Sequence, residues 1–178
     1  MLLLQHNFLT FILVIVSLLL VEGMGHIDFS NGNLLFLPMG AAILSYLLFG
    51  YGVLPGVALA NTLIGYTLWN NWFGNGFDGF SGHVIIGSLA PIVAIQMMKS
   101  FGLSQFFDGK EINYRHVMFV VILTALLNTF GKFSLFYGVL QEDINVVNFV
   151  STYLIGDILG GFVFIYATVK LSKLLENR

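Results

Sequence analysis

Two charged residues, Lys132 and Asp157, lie inside apolar stretches where charge is otherwise scarce. Lys132 stands in the segment LNTFGKFS, and Asp157 stands in the segment YLIGDILGG. An unpaired charge at the centre of a membrane helix costs about 2.5 to 3.5 kcal/mol on insertion scales. The two residues therefore indicate an ion pair that locks two helices together, a binding site for a small ligand or an ion, or a proton relay.

The sequence lacks the patterns of the common catalytic and metal sites. It has no cysteine, and no two of its four histidines have the spacing of helical metal ligands. Neither an H-E-x-x-H motif nor a phosphate-binding loop occurs. We therefore expect no enzymatic activity, no metal and no cofactor. His83 is interpreted as an interfacial residue at the outer start of the fourth helix.

The composition is that of an integral membrane protein. Of 178 residues, 57% are hydrophobic and 9% are charged, and the mean hydropathy is +0.90. An ordinary soluble domain carries about 25% charged residues. The composition excludes a soluble enzyme and a disordered tail, and with a net charge of −2 it also argues against a nucleic-acid partner. We expect one all-α membrane domain over residues 1–178, with the lipid bilayer as its partner.

Apolar stretches divide the chain into about six transmembrane helices, each near the length of about 20 residues that a crossing needs. A turn with two glycines and a proline separates the second stretch from the third. The first stretch follows no basic residue and has no A-x-A cleavage motif, so we interpret it as a retained helix rather than a signal peptide. The predicted helices are 4–21, 35–49, 55–69, 83–98, 115–140 and 147–171.

Basic residues are enriched in cytoplasmic loops, and here they segregate completely. The segments 22–33, 70–82 and 141–146 carry acidic residues and no Lys or Arg. Both termini are therefore predicted to be cytoplasmic. Six of the seven basic residues fall between helices four and five or at the end of helix six: Lys99, Lys110, Arg115, Lys170, Lys173 and Arg178.

The external loop 69–80 is rich in Trp, Phe and Gly. We interpret it as an aromatic belt at the membrane interface, or alternatively as a mobile lid over a ligand cavity.

The two intramembrane charges are predicted to lie at similar depth. Lys132 falls about 12 Å and Asp157 about 15 Å below the outer boundary, on helices that are consecutive and antiparallel. Asn128 precedes Lys132 by one helical turn, as Thr124 precedes Asn128. These positions predict a polar cluster in the outer half of the bundle, which is either structural or a ligand site: Asn61, Asn128, Lys132, Tyr153 and Asp157.

Two segments carry a family pattern. The first has a Pro-x-Gly opening, a glycine turn, a Pro-Gly pair and an asparagine, and the second reads Gly-Asp-x-x-Gly. In this order they resemble the MASE-type membrane-associated sensor domains of bacteria. The positions that match the pattern are Pro38, Gly40, Pro55, Gly56, Asn61, Gly156, Asp157 and Gly160.

The resemblance implies a multi-pass sensory domain of the bacterial inner membrane that takes part in signal transduction. Such domains usually have about eight helices and precede a diguanylate cyclase, phosphodiesterase or histidine kinase module. This sequence ends seven residues after Leu171, so we expect no soluble output domain and a separate membrane or cytoplasmic partner protein. Two alternatives stay open: the substrate-binding membrane component of a small-molecule transporter, and a structural subunit of a membrane complex.

Gly156 and Gly160 also form a G-x-x-x-G step, which allows close helix contact. We expect this contact to lie within the bundle rather than in a homodimer.

Overall fold

The computed structural model describes residues 1–23, 28–29, 32–68, 76–108, 111–139 and 145–176. The chain is all-α, with two-residue antiparallel strand pairs in two of its connections. The helices are α1 (Leu2–Gly23), α2 (Leu37–Phe49), α3 (Leu54–Leu68), α4 (Gly76–Ser100), α5 (Tyr114–Phe133) and α6 (Val146–Glu176). The strands are β1 (Asp28–Phe29) paired with β2 (Gly32–Asn33), and β3 (Phe107–Asp108) paired with β4 (Glu111–Ile112).

Four helical segments of the described chain are long and apolar enough to cross a membrane, which is the character of a membrane protein. The helices α2 and α3 have 13 and 15 residues, fewer than the about 20 residues that a full crossing needs. The predicted total of six crossings stays a prediction. The four long segments are Leu2–Gly23, Ser81–Ser100, Tyr114–Gly138 and Val146–Leu175.

Three helix boundaries differ from the predicted ones by five or more residues. The helix α4 begins at Gly76 rather than at residue 83, and α6 continues to Glu176 rather than ending at residue 171. The helix α5 changes to a π-helical segment, Ser134–Val139. Each glycine weakens a helix by about 1 kcal/mol. The Gly-rich sequence before residue 83 therefore predicts a loop there rather than the start of a helix. Tertiary contact overrides that preference, since Gly82 lets α4 approach the side chain of Leu135 closely.

The helices form a closed ring in the order α1, α3, α4, α5, α6 and α2, in which each helix packs against its two neighbours. The helix α1 lies between α2 and α3. These two are joined by the 3-10 turn Tyr51–Val53 but make little direct contact with each other in the described chain. The ring closes through α2, whose residues Leu37–Tyr46 are all buried. The consecutive helices α3 to α6 therefore stand side by side, which is the part of the ring that carries the polar residues.

Close glycine contacts join α2 to α6. A Cβ atom on Gly40 would lie 2.7 Å from Cβ of Phe164, and a Cβ atom on Gly160 would overlap the backbone of Phe36. The backbone N–H of Phe36 also donates to the carbonyl oxygen of Gly156, at 3.0 Å. The G-x-x-x-G step of α6 is thus used for packing inside the bundle.

The start of α1 is bonded to the start of α3 through Asn7. Its Nδ2 donates to the carbonyl oxygen of Gly52, and its Oδ1 accepts from the backbone N–H of Gly56, at 2.9 and 2.7 Å. The N–H groups in the first turn of a helix have no partner within the helix, so Asn7 supplies one. The turn between α2 and α3 therefore lies on the same side of the bundle as the beginning of α1.

Candidate functional site

Asp157 of α6 is held by α5. The side-chain Nδ2 of Asn128 donates to Oδ2 of Asp157 at 2.6 Å. The exposed fraction is 0% for Asn128, 3% for Lys132 and 2% for Asp157. A hydrogen bond to a carboxylate is stronger than a neutral one, and in a buried setting it is screened little by solvent. This bond fixes the register between α5 and α6 at the polar level.

Lys132 lies one turn along α5 from Asn128, and Tyr153 lies one turn along α6 from Asp157. The Nζ of Lys132 is 5.2 Å from the centre of the Tyr153 ring, within the range of a cation–π contact. Since Asn128 bonds Asp157 and Lys132 lies over Tyr153, Lys132 and Asp157 are at a similar level of the bundle, and His83 of α4 is also buried. Two opposite charges and an imidazole are therefore gathered in the protein interior.

Aromatic rings cover this cluster from the side where α6 begins. Phe149 stacks on Tyr153 with ring centres 4.3 Å apart, and Phe136 meets Phe149 edge to face at 6.0 Å. All three rings are buried. They separate the charged pair from water, and electrostatic interactions are strengthened in such surroundings.

A second polar group extends the cluster across α4 to α3. The Nδ2 of Asn61 donates to Oγ of Ser88 at 2.9 Å. The hydroxyl of Tyr46 in α2 donates to the carbonyl oxygen of Ser88, also at 2.9 Å. Gly87 lies between the two groups, because a Cβ atom there would be 3.4 Å from Nδ2 of Asn61 and 3.9 Å from Oδ1 of Asn128. The polar residues thus form one track through four consecutive helices.

Several buried polar atoms in this region have no hydrogen-bond partner among the described residues. They are Oδ1 of Asn128 and the hydroxyl oxygens of Thr124 and Thr129, and all three residues have an exposed fraction of 0%. Leaving a buried polar group unsatisfied costs about 1 to 3 kcal/mol. The helix α5 therefore carries three buried polar atoms without a partner in the described chain, one of them on the side chain that bonds Asp157.

Four of the five residues of the predicted cluster meet between α5 and α6, and the fifth, Asn61, lies in α3. Asn128 donates to Asp157, and Lys132 lies over the ring of Tyr153, one turn along α6 from Asp157. Asn61 bonds Ser88 of α4, and Gly87 lies between its amide group and that of Asn128. The order of the elements explains this result, because α3 to α6 are consecutive neighbours in the ring.

The prediction that His83 begins the fourth helix was wrong, and its side chain is buried. Because α4 begins at Gly76, His83 lies about 10 Å inside the helix. Ser88 and Tyr46 were missed altogether. Ser88 is a polar residue in an otherwise apolar stretch, and His83, Gly87 and Ser88 fall on adjacent turns of α4. That spacing is a signal for Ser88 but not for Tyr46, which lies in α2.

The family-pattern residues lie at helix starts and helix contacts rather than in the polar cluster, apart from Asn61 and Asp157. Pro38 is in the first turn of α2, where the fixed φ of proline suits a helix start, and Pro55 has the same place in α3. A Cβ atom on Gly56 would overlap the backbone of Asn7. Most of the pattern therefore concerns the packing of the helices.

No group of three or more His, Asp or Glu side chains that could hold a metal ion occurs in the described chain. Residues 69–75 of the predicted aromatic belt or lid lie outside the described residues, and the remainder of that stretch, from Gly76 to Phe80, is the first part of α4.

No protein-family model, curated protein or solved structure matches this chain. The resemblance to MASE-type sensor domains stays a prediction.

Proposed function

We propose that this chain is a membrane module that binds a small polar molecule or an ion inside its helix bundle and acts through a separate partner protein. The observation that supports it best is the polar track from the half-buried Asn61 to the buried Asp157, in which Oδ1 of Asn128 has no partner in the described chain. Ionisable residues inside membrane helices are costly and are commonly functional. Signalling through a partner is the form that the MASE-type resemblance favours.

The chemistry of the track favours binding over catalysis. Asp157 and Asn128 Oδ1 accept hydrogen bonds, Lys132 donates, and the Thr124 and Thr129 hydroxyls do both. A ligand that carries both donors and acceptors would satisfy them. The π-helical segment begins at Ser134, two residues after Lys132, and π segments are frequent at functional sites. A transporter component would use the same site, whereas a purely structural subunit would need no ligand there.

The test of this proposal uses Gly87→Ala. The added methyl group would make only ordinary contacts, at 3.4 to 3.9 Å, with Asn61 and Asn128, so the variant should fold normally while narrowing the space between them. Purified protein is screened by thermal unfolding against a fixed panel of amino acids, organic acids, polyamines, sugars and inorganic ions. We expect at least one compound to stabilise the wild type. Its affinity should fall about tenfold in Gly87→Ala, a loss of about 1.4 kcal/mol.

Gly138→Ala is the matched control, because a Cβ atom at Gly138 meets nothing within 4 Å. It should bind the same compound as tightly as the wild type. If no compound in the panel stabilises the wild type, or if Gly87→Ala binds with unchanged affinity, the binding proposal is wrong. The cluster is then a structural element, as in a subunit of a membrane complex.

We further propose that the chain crosses a bacterial inner membrane six times with both termini in the cytoplasm. The segregation of basic residues supports this orientation. The contact of Asn7 with Gly52 and Gly56 supports a return of α2 and α3 to the side where α1 begins.

Because the chain contains no cysteine, single introduced cysteines report the orientation directly. In spheroplasts, a membrane-impermeant maleimide should label Gly23→Cys and Gly138→Cys at the outer side. Ser100→Cys should be labelled only after the membrane is permeabilised. Labelling of Ser100→Cys in intact spheroplasts would contradict the proposed orientation.

A further inference from the structure

An apolar groove of about 320 Å³ runs between the beginning of α5 and the second half of α6. Its walls include Tyr114, Val117 and Met118 from α5, and Phe162, Val163 and Tyr166 from α6. Met118, Val163 and Tyr166 are each about half exposed. The groove therefore opens on the outer surface of the bundle, which faces lipid in a membrane. It lies away from the polar track and does not depend on the function proposed above.

Basic residues stand at one end of this groove. Lys170 follows Tyr166 by one turn of α6, with its Nζ 6.0 Å from the centre of the Tyr166 ring, and it is exposed. Arg115 precedes Met118 by three residues of α5, so the two share a face of that helix, and Arg115 is exposed as well. Lys173 continues the face of α6 that carries Tyr166 and Lys170.

The depth of these charges fits a lipid headgroup. The rise of 1.5 Å per residue places Lys170 and Lys173 about 6 and 10 Å beyond Tyr166 along α6. Arg115 is the second residue of α5. Apart from Tyr114, the walls of the groove lie deeper in the bundle than these charges, which places the charges at headgroup depth in the proposed membrane orientation. Each Lys or Arg close to an anionic membrane surface contributes about 1 kcal/mol of attraction.

We propose that the groove binds an anionic phospholipid, with one acyl chain between α5 and α6 and the phosphate beside Arg115 and Lys170. The apolar walls suit an acyl chain, and the charges at one end select the headgroup. Since the two helices that form the groove also carry Lys132 and Asp157, the lipid stabilises the pair of helices that holds the polar cluster.

The test is native mass spectrometry of the purified protein after delipidation, followed by titration with dioleoylphosphatidylglycerol, dioleoylphosphatidylcholine or oleate. We expect one phosphatidylglycerol molecule to bind at least tenfold more tightly than phosphatidylcholine. The double variant Arg115→Gln/Lys170→Gln should lose that preference. Val163→Trp fills the groove from an exposed position and should reduce binding of both phospholipids.

Lys99→Gln is the matched control, because Lys99 is also at a helix end and also lies over a tyrosine ring, that of Tyr51, at 4.8 Å. It should leave the affinity for phosphatidylglycerol unchanged. Equal affinity for the two phospholipids, or equal loss in Lys99→Gln, would overturn the headgroup assignment. The assignment of the groove would be overturned if Val163→Trp binds the phospholipids as well as the wild type does. It would also be overturned if oleate binds more tightly than phosphatidylglycerol, or if a dimer forms in place of the lipid complex.

Discussion

Replacing Asp157 with alanine is expected to lower the free energy of unfolding by about 3 to 5 kcal/mol, the usual cost of breaking a buried ion pair. Lys132 would keep a buried charge without the carboxylate that interacts with it, and Nδ2 of Asn128 would lose its acceptor. The measurement is equilibrium unfolding in detergent micelles, followed by the loss of helical circular dichroism.

The interaction itself is measured by a double-mutant cycle. Lys132→Met alone should also destabilise, because it leaves the Asp157 carboxylate buried. The double variant Lys132→Met/Asp157→Ala should be more stable than either single variant, since no buried charge remains. Ser151→Ala, at an exposed position of α6, should change stability by less than about 0.5 kcal/mol. Additive effects in the cycle would show that the two charges do not interact.

This cycle and the Gly87→Ala test measure different properties. The cycle tests whether the charged pair holds α5 against α6, and that result is expected with or without a ligand. Gly87→Ala tests binding in a variant with an intact charged pair. If the cycle shows strong coupling and no compound of the panel stabilises the wild type, the polar cluster has a structural role only.

Gly160→Ala is expected to destabilise the protein by about 3 kcal/mol or to prevent folding. The added Cβ atom would lie 2.6 Å from the backbone nitrogen of Phe36 and nearer still to its carbonyl group. A backbone cannot move aside as the end of a flexible side chain can. The substitution would therefore push the start of α2 away from α6 and stretch the bond from Phe36 to Gly156. Overpacking of this kind usually costs about 1 to 3 kcal/mol, and occasionally more.

The measurement is the same unfolding experiment, with gel filtration in detergent to detect misfolded protein. Gly138→Ala is again the control, because it adds the same methyl group where nothing lies within 4 Å. If Gly160→Ala unfolds with the free energy of Gly138→Ala, the close contact between α2 and α6 is wrong. A folded Gly160→Ala variant that forms fewer dimers would instead place the glycine step at an intermolecular interface.

The amino-acid sequence by itself determined the class of protein, the six helices and the similar level of the two charged residues along α5 and α6. Hydropathy is a local property, so apolar stretches mark helices without knowledge of their neighbours. Lys132 and Asp157 could be placed at one level because α5 and α6 are consecutive and joined by a short connection, which makes them antiparallel neighbours.

Only the tertiary structure decided which polar groups meet. The rotation of each helix about its own axis determines which side chains face each other. The hydrogen bonds from Asn128 to Asp157 and from Asn61 to Ser88 depend on it. The burial of His83 depends on it as well. That rotation is set by close contacts between distant parts of the chain, such as Gly160 with Phe36 and Gly56 with Asn7. The insertion of α1 between α2 and α3 has the same cause. Helix periodicity gives the faces of a helix, but the packing of side chains decides which face meets which neighbour.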